Sequence, residues 1–347
     1  MSSRRYTTDL GLIFVVIVWG FSPTIFKYAL AELSPLSFVF ARFLLLSLVS
    51  VAVLTIRGLR GGRAWRIARG DLPALILSGL CGYGVYQLFY MVGLSHTTVF
   101  SSALLTTTVP LWSLAIVALL RLERVHPMQW IGVAVSLLGT AGFLLAASGA
   151  RPEIALGHAL GAREQLFGDV LSLGAAVLFA GYGVVNRKLV RRYSPPELMC
   201  YTLLVGTIAL APFGIPAVAA QDWSRVSWQV WVIIPYTVIF PIYITYSLWN
   251  WAIGRRGVGY VTVYSYLVPV LGGVIAFLLL GETLSIGQLA ASAIVLGGML
   301  LARVGIRLAD LRARRAPGPI DPGSPSMDTP PLPADTPRPA EAHMTGT

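Results

Sequence analysis

Charged side chains are scarce in this sequence. Only 12% of its 347 residues are charged, whereas 56% are hydrophobic. Soluble domains carry about 25% charged residues, so this composition excludes an ordinary soluble protein and indicates a membrane protein. The net charge of +11 does not favour nucleic-acid binding, because the basic residues form short clusters between apolar runs and no basic domain.

Cysteines and catalytic motifs are also rare. Cys81 and Cys200 lie in apolar runs without CxxC spacing, so neither a disulfide framework nor a metal site is indicated. The sequence contains no HExxH, no GxSxG and no glycine-rich phosphate loop. We therefore expect neither enzymatic activity nor a cofactor.

Long apolar runs, in contrast, fill most of the chain. A helix needs roughly 20 residues to cross the hydrocarbon core of a bilayer, and ten runs approach this length. They cover residues 10–31, 36–56, 72–94, 99–120, 128–147, 167–185, 198–220, 228–253, 258–280 and 286–304. The sequence predicts an all-α integral membrane protein with about ten transmembrane helices.

The second half of the chain repeats the first. Residues 110–123 (PLWSLAIVALLRLE) and 269–282 (PVLGGVIAFLLLGE) each place a proline thirteen positions before a glutamate, and the copies lie 159 residues apart. The same offset relates Gly139 to Gly298. Five helices per copy is an odd number, so the second copy enters the membrane from the opposite face. Two inverted five-helix repeats are typical of secondary transporters.

The repeats divide the chain into four segments. We assign 1–147 to the first repeat, 148–166 to an outer linker, 167–304 to the second repeat and 305–347 to a cytoplasmic tail. The last 32 residues include nine prolines and few large apolar side chains, which predicts disorder.

Basic residues give the orientation. Twenty of them occupy the N-terminus and alternate loops, whereas the opposite loops hold only Arg151, Arg163 and Arg225. The positive-inside rule then places both termini in the cytoplasm.

Several short motifs resemble a known family. The first two helices contain Trp19-Gly20, Lys27, Ser34-Pro35 and Arg42-Phe43, and helices 4 and 5 contain Pro110, Glu123, Trp130-Ile131-Gly132 and Gly139. This pattern resembles the EamA-type group of the drug/metabolite transporter superfamily over about residues 10 to 304. The resemblance implies ten helices in two inverted repeats, a location in the bacterial inner membrane, and export of small metabolites, commonly amino acids or their derivatives. It leaves the substrate open.

Arg42 is the deepest charge of the first repeat, roughly 9 Å into helix 2 by the rise per residue. Charges at this depth are usually paired. We expect it to pair with Glu32 or Glu282 as an outer gate or packing element, with direct substrate contact as the alternative.

The remaining charges within the apolar runs lie near predicted helix ends. Glu123 and Glu282 end helices 4 and 9, where they suit the N-terminus of the following helix and act as turn or gating residues. Lys27 and Lys188 are related by the repeat, and both can extend to the interface.

Acidic residues are absent from the middle of every predicted helix, and all four histidines fall in loops or the tail. A proton relay normally needs such a group at depth. Facilitative export is therefore favoured over proton coupling, and a strongly charged substrate is disfavoured.

Aromatic and uncharged polar residues line the predicted cavity. Tyr83, Tyr86, Gln87 and Tyr90 follow the spacing of one helix face, and the repeat offset relates Gln87 to Tyr246. Aromatic walls with a few hydrogen-bonding groups suit a small amphiphilic solute. The predicted substrate-binding residues are Trp19, Tyr83, Tyr86, Gln87, Thr106, Tyr182, Tyr243, Tyr246, Asn250 and Ser265.

The favoured function is thus alternating-access export of neutral or zwitterionic amino acids. A proton-coupled exporter of lipophilic cations and a non-transporting membrane scaffold stay open as alternatives. The expected partners are a small-molecule substrate and the lipid bilayer, not nucleic acid, and the sequence leaves the oligomeric state open, with a monomer compatible.

Overall fold

Every regular element in the described part of the chain is helical. The computed structural model describes residues 3–59, 67–122, 127–148, 161–256, 261, 264 and 267–315. Its α-helices are α1 (Ser3–Leu30), α2 (Pro35–Leu59), α3 (Leu72–Gly79), α4 (Val85–His96), α5 (Val99–Thr106), α6 (Val109–Leu119), α7 (Pro127–Ser148), α8 (Ala162–Leu189), α9 (Pro195–Ala220), α10 (Trp228–Val238), α11 (Thr245–Arg256), α12 (Leu267–Leu280) and α13 (Ile286–Arg315).

These helices confirm the predicted set of ten apolar segments. Eight helical segments are long and apolar enough to cross a membrane within the described residues, and two shorter apolar helices, Trp228–Ile244 and Leu267–Leu280, occupy the eighth and ninth positions. The third segment joins α3 to α4, the fourth joins α5 to α6, and the eighth joins α10 to α11. The sixth begins at Ala162, before the predicted start at 167, and the last continues to Arg315, past the predicted end at 304.

Two membrane segments contain a π-helical turn, and these turns are related by the repeat. Leu80–Gly84 interrupts the third segment, and Ile239–Ile244 interrupts the eighth. Their first residues are 159 positions apart, which is the sequence offset between the two copies. Because π-turns inside α-helices are frequent at functional sites, the helices that follow these two turns, α4 and α11, are candidates for the functional site.

Helix neighbours also follow the repeat. Helix α8 packs against α4, α5 and α6, and the equivalent helix α1 packs against α10, α11 and α12. Helix α2 packs against its counterpart α9, and α7 packs against its counterpart α13. The same arrangement therefore results when the two halves are exchanged, as an inverted repeat requires.

The α7–α13 contact brings equivalent residues together. Ser136 Oγ donates to the carbonyl oxygen of Val295 at 3.0 Å, and these positions differ by the repeat offset. Glycines allow the close approach: a Cβ added to Gly132 would lie 2.2 Å from the nitrogen of Ala302, and one added to Gly298 would lie 2.5 Å from the nitrogen of Ser136. Small residues serve this purpose in membrane helix pairs generally.

The Gly298→Ala substitution should therefore destabilise the protein by about 1 to 3 kcal/mol, because the new methyl group meets the backbone of α7. Gly297→Ala is the matched control on the same helix, since a Cβ at Gly297 has open space around it. Thermal unfolding of the detergent-solubilised variants checks this, and equal unfolding temperatures would contradict the close contact.

The largest buried cluster draws on both repeats. Phe26, Phe38, Phe43 and Met91 come from the first half, and Leu203 from the second. It lies where α1, α2, α4 and α9 meet, so the interior of the bundle is shared between the halves.

Hydrogen bonds at chain turns distinguish the two ends of the bundle. At one end, Arg192 Nη1 lies 2.5 Å from Asp71 Oδ1, and the Tyr193 hydroxyl donates to Asp71 Oδ2 at 3.0 Å. At the opposite end, the backbone nitrogen and hydroxyl of Ser227 both donate to the Glu32 carboxylate at 2.7 Å. We call these the basic end and the Glu32 end.

Candidate functional site

A continuous row of aromatic rings crosses from the first repeat to the second. Neighbouring ring centroids in this row are 4.9 to 6.5 Å apart, in edge-to-face, tilted or stacked geometry. These separations fall within the range that favours aromatic pairs. In order, the aromatic row consists of Phe38, Phe26, Tyr90, Tyr86, Phe179, Tyr182, Tyr83 and Phe43.

The first π-turn positions the centre of this row. Tyr83 belongs to the π-turn, and Tyr86 and Tyr90 follow on α4. Gly82 leaves room for Tyr182 from α8, because a Cβ at Gly82 would lie 2.3 Å from the Tyr182 ring. The structure thus brings together three predicted site residues, Tyr83, Tyr86 and Tyr182.

Gln87 supplies an uncharged polar group on the same helix. The residue as a whole is 8% exposed. Its amide offers both a hydrogen-bond donor and an acceptor to a bound solute.

Arg42 lies at the start of the aromatic row. Its guanidinium carbon is 4.6 Å from the centroid of Phe26 and 5.1 Å from that of Phe38, and the residue is 4% exposed. The predicted pairing with Glu32 or Glu282 is wrong, because both carboxylates have other partners. A sequence shows the depth of a charge but not which neighbouring helix supplies its partner.

Trp19 contacts the second π-turn and Tyr243 belongs to it. Trp19 Nε1 donates to Thr245 Oγ1 at 2.8 Å, and the Trp19 and Trp249 centroids are 5.0 Å apart. The Tyr243 hydroxyl is 2.9 Å from Ser50 Oγ. Both side chains tie helices of the two repeats together.

The other predicted site residues are less informative. Thr106 Oγ1 donates to carbonyl groups of its own helix, at 2.8 Å to Ser102 and 3.0 Å to Ala103. Helix α11 contains residues 246 and 250, but the side chains of Tyr246 and Asn250 lie outside the described part of the structure, as do Ser265 and Glu123 entirely.

A buried cluster of charged residues was missed by the sequence analysis. Lys27 Nζ lies 3.6 Å from Glu282 Oε1 and also donates to the carbonyl oxygen of Thr97. The Thr97 hydroxyl donates to Asp169 Oδ1. We call Lys27, Thr97, Asp169 and Glu282 the polar cluster. Lys27 is 6% exposed, so the expectation that it extends to the interface is wrong.

Glu282 also accepts backbone hydrogen bonds at the N-terminus of α5. The nitrogens of Val99 and Phe100 lie 2.8 and 3.3 Å from its carboxylate oxygens. A carboxylate is favourable at this position because unpaired N–H groups and the helix dipole both favour negative charge there. Glu282 therefore joins α12 of the second repeat to α1 and α5 of the first.

Asp169 is fully buried within α8. The expectation was that no acid lies in the middle of a helix, and Asp169 lies nearer the start of α8 than its middle but is nevertheless fully buried. The reason is the helix boundary: α8 begins at Ala162, so Asp169 lies more than one turn inside it. The signal that could have found the cluster is the coincidence of a lone lysine and two acids in apolar runs.

The fold and site together define a multi-pass membrane transporter built from two inverted repeats. The family model described as "EamA-like transporter family" matches residues 7–145 and again 166–304. The chain belongs to the EamA-like transporter family, as the resemblance of its motifs had indicated.

The names of similar proteins agree with this class. The chain is 30% identical to a "Probable terminal-alkyne amino-acid exporter" of Streptantibioticus cattleyicolor, covering 74% of this chain and 80% of the relative. It is 24% identical to a "Probable amino-acid metabolite efflux pump" of Salmonella typhimurium, covering 85% and 94%. A solved crystal structure aligns with 86% of this chain and covers 97% of the other protein's chain. The TM-score is 0.55 and the sequence identity is 22%, so this similarity supports the fold.

Proposed function

We propose that this transporter exports small neutral or zwitterionic amino acids by alternating access and without an obligatory coupling ion. The observation that carries the proposal is the aromatic row at the contact between α4 and α8, with the buried polar residue Gln87 on the same α4 helix. Aromatic walls bind an apolar side chain, and a few polar groups orient its backbone atoms. The names of two relatives support amino acids as the substrate class.

The polar cluster is proposed to act as a gate near the Glu32 end. It connects α1, α5, α8 and α12, and therefore both repeats, around buried charges. Separation of α8 and α12 from α1 and α5 would open that end, while α2, α3 and α9 pack together around Leu54, Leu75 and Leu198 and close the basic end. Rocking one half against the other exposes the aromatic row to each side in turn.

Orientation is tested with single cysteines at two exposed arginines, after Cys81 and Cys200 have been replaced by alanine. We propose that the basic end faces the cytoplasm, so Arg187→Cys should be protected from an impermeant thiol reagent in intact cells. Arg163→Cys, at the start of α8, should react. The reverse pattern, or reaction of both, would contradict the proposed topology.

Export itself is tested in cells loaded with an amino acid through a dipeptide. Cells that express the wild-type chain should release the liberated amino acid faster than cells with empty vector. Equal release from the two would reject amino-acid export.

Proton-coupled efflux of lipophilic cations is the second candidate, because Asp169 supplies a buried acid. The two candidates differ in their dependence on a pH gradient. We expect amino-acid flux in proteoliposomes to continue when an ionophore collapses that gradient. Loss of flux under this condition, together with its loss in Asp169→Asn, would favour the coupled mechanism.

A further inference from the structure

Arg42 is a buried cation without a counter-charge among the described residues. Its Nε and Nη1 atoms are shielded from solvent and have no hydrogen-bond partner within this part of the structure. Isolated charges inside membrane proteins are rare, because burying them is unfavourable unless they are paired. A group that persists in this state is a candidate for binding something of opposite charge.

The nearby carboxylates are not available to Arg42. Glu32 is held by Ser227 at the end of the bundle. Glu282 is held by Lys27 and by the N-terminus of α5. Asp169 accepts from Thr97 through Oδ1, and its Oδ2 has no hydrogen-bond partner among the described residues, so it does not pair with Arg42 either. Among the described residues, no carboxylate therefore neutralises the charge of Arg42.

The surroundings of Arg42 lead directly into the aromatic row. Phe26 and Phe38 present their rings to the guanidinium, and such cation–π contacts partly offset the unfavourable burial. Tyr90 follows Phe26 in the row, with ring centroids 6.5 Å apart, and Tyr86 lies 6.0 Å beyond Tyr90. A solute whose apolar part contacts Tyr86 can thus place a charged group near Arg42.

We propose that Arg42 binds the carboxylate of the transported substrate, which makes a carboxylate-bearing zwitterion the preferred class. This inference rests on the proposed export function and identifies the group that recognises its substrate. A guanidinium presents a planar set of donors that matches a carboxylate with two hydrogen bonds. A helix-packing role does not explain two unpaired nitrogens.

Counterflow in proteoliposomes tests this with acid and amide pairs. The probes are labelled L-leucine and L-phenylalanine, each compared with its carboxamide, which lacks the negative charge. The wild type should prefer the acids. In Arg42→Met the apparent affinity for the acids should fall by about 10- to 100-fold, while transport of the amides is retained.

Two comparisons separate binding from folding. Arg57→Met makes the same chemical change at an exposed position of α2 and should leave the acid preference intact. Arg42→Met should unfold at the same or a higher temperature than the wild type, because it removes an unpaired buried charge. A clearly lower unfolding temperature would assign Arg42 to structure and overturn the inference.

The substrate comparison also distinguishes the two proposals. If the wild type carries acid and amide equally well, the carboxylate inference fails but amino-acid export stands. If the wild type transports neither the acids nor the amides, both the proposed export function and the carboxylate inference fail.

Discussion

Replacing Lys27 with Met is expected to lower the free energy of unfolding by about 3 to 5 kcal/mol, the range seen when one partner of a buried ion pair is removed. The substitution leaves the buried Glu282 carboxylate, and Asp169 beyond Thr97, without the cation between them. Thermal unfolding in detergent and the amount of protein in the membrane measure this effect.

The double variant Lys27→Met/Glu282→Gln should recover most of that loss. It removes both charges, and the amide oxygen of the introduced glutamine can still accept the Val99 N–H. Arg225→Gln is the control, because the Arg225–Asp222 pair is exposed and should contribute about 1 kcal/mol or less. If Lys27→Met is as stable as Arg225→Gln, the polar cluster does not hold the two repeats together.

Replacing Gln87 with Leu is expected to weaken apparent substrate affinity from several-fold to about 100-fold. The loss of one hydrogen bond in a buried site accounts for about 0.5 to 3 kcal/mol, depending on whether the substrate group is left unpaired. Leucine is tolerated in membrane helices, so membrane abundance should be normal. Concentration-dependent counterflow provides the measurement.

Tyr236→Leu is the matched control for this substitution. Tyr236 stacks on Phe240, with centroids 5.1 Å apart, and is no member of the aromatic row. It should therefore change affinity less than Gln87→Leu does. Unchanged affinity in a well-expressed Gln87→Leu variant would place the substrate elsewhere in the bundle.

Most of the architecture was predictable because membrane helices have strong sequence signals. Apolar runs of the right length located the helices, and the 159-residue offset located the repeat. The π-turns were not predicted, although Leu80–Gly84 and Ile239–Ile244 are related by the same offset. A one-residue change in backbone hydrogen-bond register does not alter the hydropathy of the sequence.

The site was predicted less completely, because the sequence does not show which side chains of neighbouring helices pack against each other. Helical spacing grouped Tyr83 with Tyr86, and in the structure both lie in one aromatic row with Tyr182, the residue predicted from the other repeat. Phe179 and Phe26 were missed, because a phenylalanine within an apolar run cannot be distinguished by sequence from one that faces lipid.

The charged residues show the same limit. Depth along a helix follows from counting residues, but pairing requires knowing which helices touch. Lys27 and Glu282 are far apart in the chain and meet only through the α1–α12 contact. Arg42 was expected to pair with Glu32 or Glu282 because most buried charges are paired, and its lack of an acidic partner among the described residues is the observation that the structure adds.

Amino-acid transport by the purified chain is the most direct test of this account. Proteoliposomes preloaded with unlabelled substrate would be given labelled amino acids, nucleosides or cationic drugs, with the pH gradient collapsed. We predict transient accumulation of neutral amino acids, and little of the other classes. Accumulation of cationic drugs alone, or of no compound in the panel, would contradict it.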